Sequence, residues 1–170
     1  MKSVLPNKDK ERIDYFALFK KATAEAFSFL GTYYGFHIAS TFCQMPECAI
    51  EYRNETTALV VTYEWESELW VVLKPLKLRS GKVVGGEEIG LDFLIKLRCP
   101  ERAVRSPGSQ RWTNKVIKQR LSHYASVLKE CASDILEGDF LIFPEVRKLA
   151  KIAKHERDRA LYRSKEPKEK

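Results

Sequence analysis

Residues 59–73, Leu-Val-Val-Thr-Tyr-Glu-Trp-Glu-Ser-Glu-Leu-Trp-Val-Val-Leu, hold two apolar runs separated by a short acidic break. In the first run Leu59, Val61 and Tyr63 alternate with more polar positions, and the second run resumes at Leu69. A period of two is typical of strands that bury one face, and a break of this length suits a hairpin turn. The stretch therefore predicts two paired antiparallel strands.

The strand period extends upstream of this pair. Residues 48–52 alternate in the same way, and residues 36–42 predict a strand that opens the sheet. Pro75 lacks an N–H group and is expected to limit the pairing of the last strand. Residues 79–90, which contain two pairs of turn-forming residues, predict a loop. Residues 91–97 are too short to classify by period, so a short helix is favoured with a strand as the alternative.

Helices are predicted before and after the strands in the sequence. Residues 14–30 carry apolar side chains at intervals of three and four, with Asp14 as N-cap. Gly31 and Gly35 supply stop signals for this helix. A second helix follows Thr113 and ends before Gly138, and Pro144 suits the first turn of a final helix. Residues that follow the helical period after Thr113 are Ile117, Leu121, Tyr124, Leu128, Cys131 and Ile135.

The predicted fold class is α+β: an N-terminal helix, an antiparallel β-meander of about four strands, then two or three C-terminal helices packed on the sheet. Residues 14–162 are expected to form a single domain. Residues 1–13 are predicted to be a flexible N-terminus, and residues 163–170 a charged, frayed tail.

Charge is unevenly distributed in this chain of 170 residues with a formal net charge of +7. Residues 101–170 contain seventeen basic and ten acidic residues, whereas residues 37–100 contain seven and nine. Residues 1–11 lack the apolar core of a secretory signal, and no stretch is apolar enough to span a bilayer. We therefore expect a cytosolic protein without a membrane partner.

The cysteines do not have the spacing of a metal site. Cys43, Cys48, Cys99 and Cys131 include no Cys-x-x-Cys pair, and His37, His123 and His155 are isolated. Zinc ligands normally occur as close pairs, and disulfides are disfavoured in the cytosol. The sequence predicts four core or loop thiols, no metal and no cofactor. Nucleophile elbows and other catalytic signatures are absent from the sequence, so we expect no enzymatic activity.

A group of glutamates is the first candidate for a binding surface. Glu64, Glu66 and Glu68 share one side of the predicted strands, with Glu47 and Glu51 on a predicted neighbouring strand. A solvated sheet face explains such residues equally well. Exposed sheet faces also bind partners, and aromatic residues are enriched at binding hot spots. The hypothesis is a protein-binding surface formed by Glu64, Glu66, Glu68 and Trp70.

A basic segment is the second candidate, and it indicates nucleic acid as an alternative partner. Clustered cations bind phosphates, and an aromatic side chain among them can stack on a base. No nucleic-acid-binding motif accompanies the cluster, and the aromatic residue can instead pack against the first turn of the helix. The candidate residues are Arg98, Arg102, Arg105, Arg111, Trp112, Lys115 and Lys118.

Residues 128–145, Leu-Lys-Glu-Cys-Ala-Ser-Asp-Ile-Leu-Glu-Gly-Asp-Phe-Leu-Ile-Phe-Pro-Glu, resemble a family of small bacterial proteins in which a helix ends in a Gly-Asp-Phe-x-x-Phe-Pro-Glu turn. Residues 27–36, Phe-Ser-Phe-Leu-Gly-Thr-Tyr-Tyr-Gly-Phe, are similar to the helix-to-sheet junction of that family. Some members resemble immunity proteins, which bind and neutralise a toxin, so the resemblance implies a toxin domain as partner. It implies no catalytic residues. The basic loop at 98–111 and the basic tail depart from the family pattern.

Overall fold

The computed structural model describes residues 8–64, 68–79, 82–103 and 113–165. Six strands lie within these ranges: β1 His37–Gln44, β2 Glu47–Arg53, β3 Thr57–Glu64, β4 Glu68–Arg79, β5 Lys82–Gly85 and β6 Ile89–Gly90. The helices are α1 Lys8–Ala26, α2 Ser28–Tyr34, α3 Leu91–Arg98, α4 Asn114–Cys131, α5 Ser133–Leu136 and α6 Phe143–Lys165, with a 3-10 turn at Pro100–Arg102. The predicted α+β class is confirmed.

The sheet is an antiparallel meander in the order β1-β2-β3-β4-β5, and β6 pairs with β4. The predicted hairpin between residues 59 and 73 is confirmed, with Leu59 opposite Leu73 and Val61 opposite Val71. Pro75 is the last position of β4 that pairs with β3, because β3 begins at its partner Thr57. Beyond it, β4 continues and pairs with β5.

The prediction of a loop over residues 79–90 is wrong, because β5 and β6 lie within it. Both strands are shorter than the runs on which a period of two can be recognised. The returning chain pairs with β4 at two places, β5 with Leu76–Arg79 beyond Pro75 and β6 with Val72 and Leu73 before it. The backbone N–H of Gly86 donates to the carbonyl of Pro75 at 2.6 Å.

One face of the sheet packs against α1 and α4 and forms the core. Tyr63 on β3 lies 5.6 Å from Phe19 on α1, measured between ring centroids, and both side chains are fully buried. On α4, Ile117 and Leu121 are fully buried as the helical period predicted. Each such side chain stabilises the fold by about 1.5–3 kcal/mol through burial.

The N-terminal helix begins earlier than predicted and is interrupted. It starts at Lys8, so Asp14 lies inside α1 rather than at its cap. The charged residues that precede Asp14 show no apolar period, which is why the pattern missed this turn. Phe27 separates α1 from α2, and α2 ends at Gly35, whose φ of 68° is left-handed. The stop signal at Gly35 is confirmed, whereas Gly31 lies within α2.

The long helix that follows Thr113 is divided in two. The side chain of Thr113 accepts a hydrogen bond from the N–H of Val116 at 3.3 Å, which confirms it as N-cap. The helix then breaks at Ala132, and α5 continues to Leu136. Gly138 follows with a φ of 100°, a conformation that favours glycine.

The prediction of four free thiols is wrong for one pair. Cys43 and Cys48 form a disulfide, while Cys99 and Cys131 are free. The reason is the hairpin register, which places Cys43 on β1 directly opposite Cys48 on β2. Sequence spacing alone did not reveal this pairing, because it depends on where the β1–β2 turn closes.

Asn54, in the turn between β2 and β3, connects the sheet to two helix ends. Its Nδ2 group donates to the carbonyl of Tyr34 at 3.1 Å and to that of Leu136 at 3.0 Å. Its Oδ1 atom accepts from the N–H of Thr56 at 3.0 Å and from that of Thr57 at 2.7 Å. The side chain therefore satisfies four backbone groups that ends of helices and turns leave without partners.

The turn after α5 packs on this junction. A Cβ atom at Gly138 would lie 2.8 Å from Oγ1 of Thr56, so both the φ angle and the available space require glycine. Phe143 is buried and its ring lies 5.1 Å from that of Phe140, edge to face. The Gly-Asp-Phe-x-x-Phe-Pro-Glu segment thus has a structural role at the contact between helices and sheet.

Replacement of Asn54 by Ala removes the bonds to four backbone groups and leaves several of them buried without a partner. We expect the free energy of unfolding to fall by about 2–4 kcal/mol, since each unsatisfied buried group costs about 1–3 kcal/mol. Urea unfolding followed by circular dichroism measures this loss. The neighbouring exposed Glu55, changed to Ala, is the control and should stay within about 0.5 kcal/mol of wild type. Equal stability of the two variants would contradict the role of Asn54.

Candidate functional site

Three glutamates form a row across the outer face of the sheet, the face that α1 and α4 leave uncovered. Strand pairing places Glu47 of β2 opposite Glu64 of β3, and Glu64 opposite Glu68 of β4. We call Glu47, Glu64 and Glu68 the acidic row. Two of the residues predicted from the sequence, Glu64 and Glu68, are therefore brought together, and Glu66 lies outside the described residues.

The acidic row is a like-charge arrangement. Within residues 8–64, 68–79, 82–103 and 113–165, no Lys or Arg forms an ion pair with any of its members. Glu51, also on this face, differs because Nε of Arg53 lies 2.6 Å from its Oε1 atom. Like charges directly opposite each other on neighbouring strands are destabilising. We therefore expect the row to lower the stability of the fold.

Trp70 lies on the same face, next to the acidic row. It pairs with Thr62 of β3 and is half-buried, whereas its neighbours Leu69 and Val71 are buried on the helix side of the sheet. The indole therefore points away from α1 and α4. This is the orientation that a contact surface needs.

A cleft of about 630 Å³ opens beside Trp70, between β4, α3 and α6. Glu68 and Trp70 line it on the strand side, and Asp92, Phe93 and Lys96 line it on the α3 side. The ammonium group of Lys96 lies 5.2 Å from the centroid of the Phe93 ring. Sequence analysis missed the three α3 residues, because a helix of eight residues has too few turns to show which side faces a neighbour.

Tyr124 of α4 contacts both β4 and α3, the two elements that form the walls of this cleft. Its hydroxyl lies 3.2 Å from Oδ1 of Asp92 and 3.3 Å from the carbonyl oxygen of Leu69. Burial, followed by the nearby charge of Asp92, raises the pKa of Tyr124 above its ordinary value. The hydroxyl stays protonated at neutral pH and can donate to either oxygen, so α3, α4 and β4 are held in one arrangement.

The predicted basic segment is divided by the structure. Both Nη atoms of Arg98 lie 2.6 Å from the carboxylate of Asp134, and Nη1 also donates to the carbonyl of Cys131. Arg102 forms an ion pair with Glu130. These two arginines fasten α3 and the 3-10 turn to the end of α4 and to α5, so their charges are already compensated.

Lys115 and Lys118 are exposed at the beginning of α4, far from those ion pairs. At 1.5 Å per residue, the helix rises about 18 Å between Lys118 and Glu130. Arg105, Arg111 and Trp112 lie outside the described residues. In the part of the chain that is described, the basic candidates therefore do not form one patch.

The histidines are dispersed. His37 lies on β1 and His155 on α6, both exposed, while His123 on α4 is half-buried. Burial, and then the charges of Arg102 and Arg120, lower the pKa of His123 below its ordinary value. No group of three or more His, Cys, Asp or Glu that could hold a metal ion occurs among the residues with described positions.

Comparison with known proteins identifies no relative. No protein-family model, no curated protein and no solved structure matches this chain. Within the described residues, no helix combines the length and the apolar character that a membrane crossing requires.

Removal of one charge from the acidic row tests how much the row lowers the free energy of unfolding. Glu64 has a like charge opposite it on both neighbouring strands, so Glu64→Gln is expected to raise the free energy of unfolding by about 0.2–1 kcal/mol. Urea unfolding at low ionic strength measures the gain, which should shrink as salt screens the charges. Glu145→Gln, at an exposed position on α6, is the matched control. A loss of stability in Glu64→Gln would show that the row is not repulsive.

The pair of Arg98 and Asp134 gives the fold a dependence on pH. The hydrogen bond from Arg98 lowers the pKa of Asp134 below its ordinary value. The stabilisation from the Asp134 carboxylate is therefore fully present at pH values above the pKa of Asp134 in the unfolded chain. It is lost as the pH falls through the lower pKa of Asp134 in the folded protein. Asp134→Asn should cost about 0.5–1 kcal/mol near pH 7, a modest value because the pair is partly exposed. In urea titrations at decreasing pH, the difference from wild type should narrow; a difference independent of pH would contradict this.

Proposed function

We propose that this protein is a non-catalytic, cytosolic protein-binding module whose contact surface comprises the acidic row and Trp70. The observation that carries the proposal is the line of Glu47, Glu64 and Glu68 across three adjacent strands, which forms no ion pair with a Lys or Arg of the described residues. Stability alone would favour a cation or a neutral side chain at the middle position. A basic partner surface would supply positive charge opposite this line.

In this proposal the acidic charges raise the association rate, and the aromatic side chain contributes to affinity. An acidic surface attracts a basic partner over a distance and raises the association rate. Trp70, half-buried at the mouth of the 630 Å³ cleft, offers apolar area that a partner can cover. A partner side chain can enter between Trp70 and Phe93, where desolvated contacts of this kind dominate affinity.

An immunity-type inhibitor is the form of this proposal that the sequence resemblance favours. The partner would then be a toxin domain with a basic surface, which the acidic row would occupy. The segment that carries the resemblance, with Gly138 and Phe143, packs at the junction of helices and sheet and lies apart from the acidic row. The contact surface can therefore vary between relatives while the turn is kept.

Charge reversal in the acidic row is the decisive experiment. The tagged protein is purified from its native cells after nuclease treatment, as wild type, as Glu64→Lys/Glu68→Lys and as Glu25→Lys/Glu145→Lys. The two variants have the same net charge, and Glu25 and Glu145 are exposed on α1 and α6, away from the row. We expect a near-stoichiometric protein with the wild type and the control, and its loss with the acidic-row variant.

Affinities of the purified complex then separate the two contributions. Glu64→Lys/Glu68→Lys should weaken binding at least about tenfold, mainly through slower association. Trp70→Ala should cost about 2 kcal/mol or more through faster dissociation, as expected for a hot spot. Equal binding by the acidic-row variant and its control would reject this surface. The absence of any stoichiometric protein partner would reject the proposed function.

A further inference from the structure

The outward side of α6 carries a row of basic residues that the proposed function does not use. Lys148, Lys151, His155 and Arg159 follow one another at intervals of three, four and four, which places them on one side of the helix. All four are exposed. We call these residues the basic face of α6.

Among the described side chains of α6, those at its beginning are the most deeply buried. Phe143 and Val146 are buried in the core, whereas most side chains from Lys151 to Arg159 are exposed. Residues 147–159 contain six Lys or Arg and two Asp or Glu, a net charge of +4. This half of α6 therefore presents a concentrated positive charge to solvent.

Five cations elsewhere form ion pairs, whereas the basic face aligns three Lys or Arg side chains that form none within the described residues. Ion pairs involve Arg53, Lys74, Arg98, Arg102 and Arg147. Across the described ranges, no carboxylate forms an ion pair with Lys148, Lys151 or Arg159. Beside them lies a groove of about 420 Å³ whose acidic residue, Glu87, is already neutralised by Arg147.

The chemistry of the face selects among anionic partners. Helices that lie in a membrane surface need several large apolar side chains opposite the charges, and the large apolar side chain exposed in this groove is Ile152. Single-stranded nucleic acid is held by stacking on aromatic rings, and the described side chains of this face include no Phe, Tyr or Trp. A duplex phosphate backbone requires only spaced cations.

We propose that the basic face of α6 binds the phosphate backbone of a nucleic acid duplex without sequence specificity. The helix rises about 16 Å between Lys148 and Arg159. Over that length one DNA strand presents a phosphate about every 3.4 Å of its axis, so Lys148, Lys151 and Arg159 can each reach a separate phosphate. The bond type is charge-assisted, from ammonium or guanidinium to phosphate oxygen.

Three double variants with identical loss of charge test the site. Lys148→Gln/Lys151→Gln removes two of the three Lys and Arg charges of the basic face, and Lys20→Gln/Lys21→Gln is the control on α1. Lys115→Gln/Lys118→Gln removes the exposed lysines of the basic segment on α4. All six lysines are exposed. Binding of a short fluorescent DNA duplex of mixed sequence is measured by anisotropy between roughly 50 and 200 mM salt.

The slope of log affinity against log salt is the decisive readout. Each lost phosphate contact reduces its magnitude by about 0.9, so Lys148→Gln/Lys151→Gln should reduce it by about 1.8. The control on α1 should leave it nearly unchanged. Equal reductions in all three variants would indicate a net-charge effect and overturn the proposal, as would a larger effect on α4. Failure of the wild type to bind duplex, or equally tight binding of polyglutamate or of anionic vesicles, would also overturn it.

Discussion

The side chain of Asn54 is the contact on which the arrangement of helices and sheet depends. One amide group bonds to the carbonyls at the ends of α2 and α5 and to two N–H groups of the β2–β3 turn. Thr57 adds a hydrogen bond to the carbonyl of Ile135 from the same turn. Because these bonds join residues far apart in the chain, they fix how the core face of the sheet meets its helices.

Charge is sorted onto different surfaces by this arrangement. The meander lines up three glutamates on one face of the sheet, and the anchor at Phe143 and Val146 projects α6 with its basic residues outward. Arg98 and Arg102 form ion pairs within the protein, with Asp134 and Glu130 respectively. A protein partner on the sheet face and a nucleic acid on α6 would make use of two surfaces of opposite sign.

Much of the fold could be predicted because it depends on local patterns. The period of two over residues 59–73 and the helical period after Thr113 each report which side of an element is apolar. Gly35 and Gly138 report backbone conformations that other residues rarely adopt. The start of α1 and the short strands β5 and β6 escaped prediction, because the charged residues 8–13 and strands of four and two residues contain no readable period. The disulfide escaped because the closing of a hairpin turn decides its register.

For the candidate site, the sequence by itself determined that Glu64 and Glu68 share a face with Trp70, since alternation along strands fixes that relation. It also determined where basic residues concentrate along the chain. Only the tertiary structure decided that Glu47 completes the row, that α3 contributes Phe93 and Lys96 to the cleft, and that Arg98 and Arg102 are paired. These are relations between elements distant in sequence. They depend on strand register and helix packing, which the hydrogen bonds and buried contacts of the whole chain select together.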